Sequence, residues 1–166
     1  EGSPEMPMGV DGHAGFQQAG TCPHLFIITA EPTRPAAIEG VKTLGMLMQD
    51  QSSAGTPAVT DANDTAVILY TSGTTGKAKG AELSHANIAM NMMVSHSLLR
   101  QTVNDVHLVA LPLFHSFGQM VQMNAGLMAG ATLVLLPRFD PDSAFKLLQT
   151  HKVSIFAGVP TMYIAL

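Results

Sequence analysis

A continuous apolar, β-branched run, Ala66-Val67-Ile68-Leu69-Tyr70, stops at ten residues that neither a buried strand nor a regular helix accommodates, Thr71-Ser72-Gly73-Thr74-Thr75-Gly76-Lys77-Ala78-Lys79-Gly80. The run has the pattern of a strand covered on both faces, so the chain must leave a sheet and turn sharply at a defined place. The residues after Gly80 narrow the architecture further. Ser84 stands where an N-cap belongs, ahead of a helical stretch to Arg100. A strand from Val106 to Leu111, a helix from Phe117 to Met128, a strand from Ala131 to Leu136, a helix from Ser143 to His151 and a strand from Val153 to Ala157 come next. Gly130, Pro137, Asp140-Pro141 and Pro160 sit at the expected breaks. This alternation predicts an α/β fold with a mainly parallel sheet and helices on its faces. Sheets of that kind bind ligands at the carboxyl ends of their strands, which is where the loop after Tyr70 is expected.

The first part of the chain carries less pattern. Glu1 to Gly20 is rich in Gly, Pro and Met without a sustained period and reads as loop or frayed end. His24 to Thr29 reads as a short strand, Ile38 to Met48 as a brief helical patch, and Gln51 to Pro57 as a polar connector. The expected division is 1–63 as N-terminal segment and connector and 64–166 as the α/β subdomain.

Composition excludes several functions. Eight basic against twelve acidic side chains, a formal charge of −4 and no basic run leave no footprint for a nucleic-acid backbone. No apolar stretch approaches the ~20 residues of a membrane span, and Glu1-Gly2-Ser3-Pro4 has no leader character. The single Cys22 fits a reducing compartment, so a cytoplasmic location is expected. Charged residues make up 12%, about half the usual share, which points to a surface covered by something else, most simply other parts of the same polypeptide.

The ten-residue loop holds three glycines, four hydroxyl side chains and two lysines. Glycines let backbone N–H groups approach anionic oxygens closely, hydroxyls add donors, and an ammonium supplies the opposite charge. A Walker A loop is excluded because two rather than four residues separate Gly73 from Gly76 and Ala78 follows Lys77. The G-x-G-x-x-G spacing is absent too. The competing reading is a flexible turn. Tyr70 to Gly80 resembles the AMP-binding loop of the adenylate-forming superfamily, which includes acyl-CoA synthetases, luciferases and peptide-synthetase adenylation domains, departing at Ala78 where that family usually has Pro. Asp64-Thr65-Ala66, Leu83-Ser84-His85-Ala86-Asn87 and Gly158-Val159-Pro160-Thr161 are similar as well. The resemblance implies a fragment of the large N-terminal domain of such an enzyme. It implies ATP binding by Thr71, Ser72, Gly73, Thr74, Thr75, Gly76, Lys77 and Lys79, with Lys79 on the phosphates as the stabilising cation and Lys77 more exposed.

A second constellation, Leu111-Pro112-Leu113-Phe114-His115-Ser116-Phe117-Gly118, is similar to the segment lining the acyl pocket of acyl-CoA synthetases. The resemblance assigns His115 to the substrate carboxylate and Phe117 to the acyl wall; a structural histidine at a helix start is the alternative. Met120, Met123, Leu127 and Met128 suit either an acyl lining or ordinary core. Ile88, Met92, Met93 and Leu99 read as a wide apolar face buried against the sheet. No His or carboxylate spacing suggests a metal site, and the resemblance puts the Mg²⁺ ligands outside this chain. The implied activity is ATP-dependent conversion of a carboxylic acid, expected to be a fatty or other apolar acid, to acyl-AMP and then to a coenzyme A thioester. The sequence shows no Tyr-Gly-x-Thr-Glu segment, no ribose-binding Asp motif and no small C-terminal domain, so these residues alone are expected to be inactive. A truncated nucleotide-binding module and an adenylation domain charging a carrier protein are the alternatives.

Overall fold

The computed structural model describes residues 8–29, 31, 33–73 and 76–166. The chain divides into two compact units, Glu1–Ala58 and Val59–Leu166.

In the first unit, helix α1 spans Met8–Ala19, where the sequence reading expected loop. Gly12 and Gly15 lower the intrinsic helix propensity by about 1 kcal/mol each, which is why the segment reads poorly, but no proline interrupts it. Strands β1, Phe26–Ile27, and β2, Lys42–Thr43, pair in parallel. The short helix α2, Leu44–Met48, starts at Thr43, whose hydroxyl accepts from the Met46 amide at 3.1 Å.

The second unit opens with β3, Thr65–Thr71, and β4, Lys79–Ser84, which form an antiparallel hairpin placing Thr71 opposite Lys79 and Tyr70 opposite Gly80. Two expectations are corrected here. The ten-residue segment leads from strand to strand before the helix begins, and β3 is not buried on both faces: Ile68 and Tyr70 are exposed. A run of apolar residues records affinity for burial, not which neighbour supplies it. The Tyr70 ring and the Ile68 methyl lie over Gly80, where an added Cβ would stand 2.9 Å from Ile68 Cγ2.

Helix α3, His85–Leu99, is entered through a capping box in which Ser84 Oγ accepts from the Asn87 amide and Asn87 Oδ1 accepts from the Ser84 amide. It packs by a narrow face, with Ser95 buried and Ile88 and Met92 half-buried. Met93 and Leu99 are exposed, contrary to the expected wide buried face. Its apolar residues occur on nearly every side, so most have no neighbour in this unit.

Strands β5 (Val106–Val109), β6 (Thr132–Leu135) and β7 (Ile155–Phe156) form a parallel sheet in the order β6-β5-β7. Helix α5, Pro141–Thr150, begins at Asp140, whose carboxylate accepts from the Ser143 amide at 2.9 Å, with Pro141 in the first turn. It brings Ala144 onto Leu108, Ala110 and Leu136, with Phe139, Leu147 and Phe156 around them. Burying Leu108 fully contributes roughly 1.5–3 kcal/mol. Strand alternation turns His107 to the opposite face, where Gly126 of helix α4, Ala125–Met128, lies against it and against Leu133. Helices thus cover both faces of the sheet, the α/β arrangement expected. Residues 117–124 form a π-helix, Phe117–Asn124, continuous with α4, where one α-helix was expected. Helix α6, Pro160–Ala165, closes the described chain. No described helix is long and apolar enough to cross a membrane.

Candidate functional site

The hairpin connection between Thr71 and Lys79 is shaped by its glycines. Gly73 has φ +62° and Gly76 φ +78°, the left-handed region that residues with a Cβ rarely adopt. At Gly73 the backbone also closes on itself, since an added Cβ would stand 2.3 Å from the Lys77 carbonyl oxygen. The same position lies 3.7 Å from Lys79 Cγ, so the stem of Lys79 runs beside Gly73. Thr71 Oγ1 is 3.5 Å from the Lys79 carbonyl across the hairpin mouth. Among the described residues, the amides of Ser72, Gly73, Gly76 and Lys77 make no hydrogen bond, and Lys77 and Lys79 form no ion pair. Unpaired amides next to an ammonium group can receive anionic oxygens. Thr74 and Thr75 lie outside the described residues.

The second constellation leaves the carboxyl end of β5. The His115 amide donates to the Pro112 carbonyl at 3.1 Å, and the Gln119 amide donates to the His115 carbonyl at 3.0 Å. Gly118 is indispensable to this corner, because a Cβ there would stand 2.5 Å from the Pro112 oxygen and 2.9 Å from the Leu111 oxygen. The Phe117 amide donates to His115 Nδ1 at 3.2 Å. In the neutral ring that contact places the proton on Nε2, leaving a donor for a ligand.

His115 and Phe117 stand between two clefts. One, of about 580 Å³, lies between α3 and the π-helix, with Asn87, Ile88 and Asn91 on the α3 side and Phe117, Met120 and Val121 opposite. The other, of about 330 Å³, is walled by Leu111, Pro112, Phe114, Gly158 and Val159. Both sizes suit small-molecule sites. Met120 reaches the first cleft, while Leu127 and Met128 are exposed away from both. Among the described residues neither cleft is lined by the loop 71–80; the hairpin contributes Leu83.

Gln122 holds this arrangement together. From the π-helix its buried side chain donates to the Leu108 carbonyl at 3.2 Å and the Ala157 carbonyl at 3.1 Å, joining the ends of β5 and β7. The loops that continue from those ends carry His115 and Gly158. On the amino side, Ser154 Oγ donates to Asp105 Oδ1 at 2.7 Å and accepts from the Val106 amide at 3.0 Å, while Thr102 donates to the same carboxylate through its amide and hydroxyl. The Ser154 bond, then those from Thr102, hold the Asp105 carboxyl below its ordinary pKa. His107, fully buried, is pushed the same way by burial, with Asp105 opposing the effect.

Sequence reasoning missed Asn87, Asn91 and Gln122 as site residues. The i, i+4 spacing of the two asparagines was a usable signal; Gln122 gave none, since its partners are main-chain atoms of distant strands. Among the described residues no cluster of His, Cys, Asp and Glu could hold a metal.

The AMP-binding enzyme family model matches residues 17–166. Over 99% of its length the chain is 34% identical to 4-coumarate–CoA ligase-like 9 of Arabidopsis thaliana, and over 66% it is 37% identical to the long-chain-fatty-acid–CoA ligase of Bacillus subtilis. It spans 32% of the first relative and 20% of the second. ATP-bound MatB from Rhodopseudomonas palustris superposes with a TM-score of 0.72 at 32% identity, over 95% of this chain and 29% of that one. The o-succinylbenzoate CoA synthetase MenE of Bacillus subtilis, in complex with its acyl-adenylate intermediate, gives 0.69 at 27% identity, over 92% of this chain and 41% of that one.

Proposed function

Because the chain belongs to the AMP-binding enzyme family, we propose that the protein carrying it is an acid–thiol ligase that activates a carboxylic acid with ATP and passes the acyl group to coenzyme A. A carboxylate oxygen attacks the α-phosphorus, the bond to the bridging oxygen breaks, and pyrophosphate leaves with acyl-AMP formed. A coenzyme A thiolate then attacks the acyl carbon and AMP departs. No protein nucleophile takes part.

In this reading the amides of Ser72, Gly73, Gly76 and Lys77 and the Lys79 ammonium receive the β- and γ-phosphate oxygens as charge grows on the leaving group, with the hydroxyls of Thr71, Thr74 and Thr75 as further donors. His115 Nε2–H donates to the carboxylate of the acid, and Phe117 walls its hydrocarbon body. Mg²⁺ would screen the phosphates, and the described residues offer no His, Cys, Asp and Glu cluster to hold it. The observation that carries the reading is the Gly73 turn, where two left-handed glycines leave unpaired amides beside the Lys79 stem. The apolar cleft beside Phe117 favours a fatty or other apolar acid, and the exposed, unpaired Cys22 favours the reducing cytoplasm.

The test is ATP-dependent thioester formation by the complete protein across acids of graded length. Lys79→Ala is expected to lower kcat by roughly 10²–10³-fold, the usual cost of one preorganised charge-stabilising donor. An unchanged rate in that variant, or preference for amino acids over all apolar acids, would sink the proposal.

A further inference from the structure

One peptide unit just past β7 is held from both sides. The Ala157 carbonyl accepts from Gln122 Nε2, and the Gly158 amide donates to the Tyr163 hydroxyl at 3.1 Å. A trans peptide is planar, so its carbonyl and N–H point in opposite directions and bonds on both fix the plane against rotation. Glycine would otherwise leave that plane free to turn. Tyr163 is itself anchored: its hydroxyl donates to the Phe156 carbonyl at 3.0 Å, and its ring centre lies 5.3 Å from that of Phe156.

Gln122 is 1% exposed, and its side-chain oxygen accepts no hydrogen bond among the described residues. The reversed carboxamide would set that oxygen against the two carbonyls it now serves, so the donors alone decide how it stands. An apolar residue of the same length would fill the space without burying an unpaired acceptor, so packing by itself does not require glutamine here. The other bond from Nε2 goes to Leu108 on β5, the strand that leads to the His115 corner. One carboxamide thus ties that strand to the clamped peptide. The stretches that follow contribute His115 and Phe117, and Gly158 and Val159, to the same cleft of about 330 Å³. Neither Gln122 nor Tyr163 lines a cleft beside His115. Resting on the acid-activation reading above, we propose that Gln122 and Tyr163 are positioning residues, which fix the spacing between Gly158 and His115 and so the seat of the acid on His115 Nε2.

The experiment measures KM for the acid and KM for ATP separately, in thioester formation by the complete protein, for Gln122→Met, Tyr163→Phe and the two together. KM does not depend on the fraction of folded protein. Tyr163→Phe keeps the ring and loses only the hydroxyl bonds, so it carries the test alone should Gln122→Met not fold. Each single variant should raise KM for the acid by roughly tenfold, the scale of a small misplacement, while KM for ATP stays within about twofold because the loop 71–80 is outside this frame. The double variant should fall short of the product of the single effects, since both bonds hold one peptide unit. An unmoved KM for the acid in a folded single variant, equal rises for acid and ATP, or effects that multiply overturn this inference and leave the ligase reading standing. Absence of thioester from the unsubstituted protein with every acid of the graded-length series overturns both.

Discussion

Gly73 and Gly76 both have positive φ, yet they are restrained differently. An alanine at Gly76 meets open space and bears only the left-handed backbone penalty, about 1–2 kcal/mol. At Gly73 the same penalty is joined by a collision with the Lys77 carbonyl, a backbone atom that cannot step aside. Gly73→Ala is therefore expected to raise the KM for ATP and lower kcat far more than Gly76→Ala, read by thioester formation in the complete protein; equal effects would mean that the turn at Gly73 is not what organises the loop. The glycines were legible as turn formers from their spacing alone. The oxygen that makes Gly73 irreplaceable was not, because it belongs to a backbone position four residues on. His107 yields a second residue-scale prediction. Burial lowers its pKa below the ordinary 6.5, so the unfolded chain binds a proton that the folded chain resists. Stability is then full above pH 6.5 and declines as pH falls from that value toward the depressed native one. Denaturant titrations at pH 7.5 and 5.5 should show the loss, and His107→Leu should reduce it.

Local signals decided which elements could be read. Helix α3 begins at Ser84 and α5 at Asp140-Pro141, as their caps require, because a cap acts over three residues and is complete within the local sequence. The hairpin was not legible, since β4 is a short stretch with Gly80 and Glu82 in it and its register is fixed by β3 across the loop. The π-helix was read as α because an inserted residue per turn leaves little trace in an apolar pattern. Of the candidate site, the His115 corner was visible as a motif after a strand, whereas the α3 wall depended on how two helices meet. The capping box gives an element-scale test. Ser84→Ala should cost about 1 kcal/mol and lower the Tm of the protein. Asn87→Ala should also lower it, and the two changes together should cost less than their sum, since the Ser84 hydroxyl also donates to Asn87 Oδ1, a bond that either change removes. Full additivity would show that the reciprocal pair does not operate as a unit.

At the scale of the whole molecule, the unit Val59–Leu166 leaves large apolar side chains in the open: Phe114 is 85% exposed, Leu98 77% and Tyr70 75%. Single exposed apolar residues need no explanation, but these accompany Met90, Met93 and Val94 on α3 and Ile68 on β3, in a chain whose charged share is only 12%. Such surface is stable when other protein covers it, and the first two curated relatives devote most of their length to residues without a counterpart here. The proposed chemistry makes the same demand. In that proposal the loop 71–80 and the clefts beside His115 would meet only one end of ATP and the acid, and adenine, ribose and the thiol would need contacts from further protein. The 166 residues by themselves are therefore expected to associate with rising concentration in sedimentation and to bind a hydrophobic dye, and the complete protein to do neither. They are also expected to exchange pyrophosphate into ATP no faster than their own Lys79→Ala variant. Exchange above that control would mean that the loop and the clefts suffice for adenylation, and the covering surface would then serve stability alone.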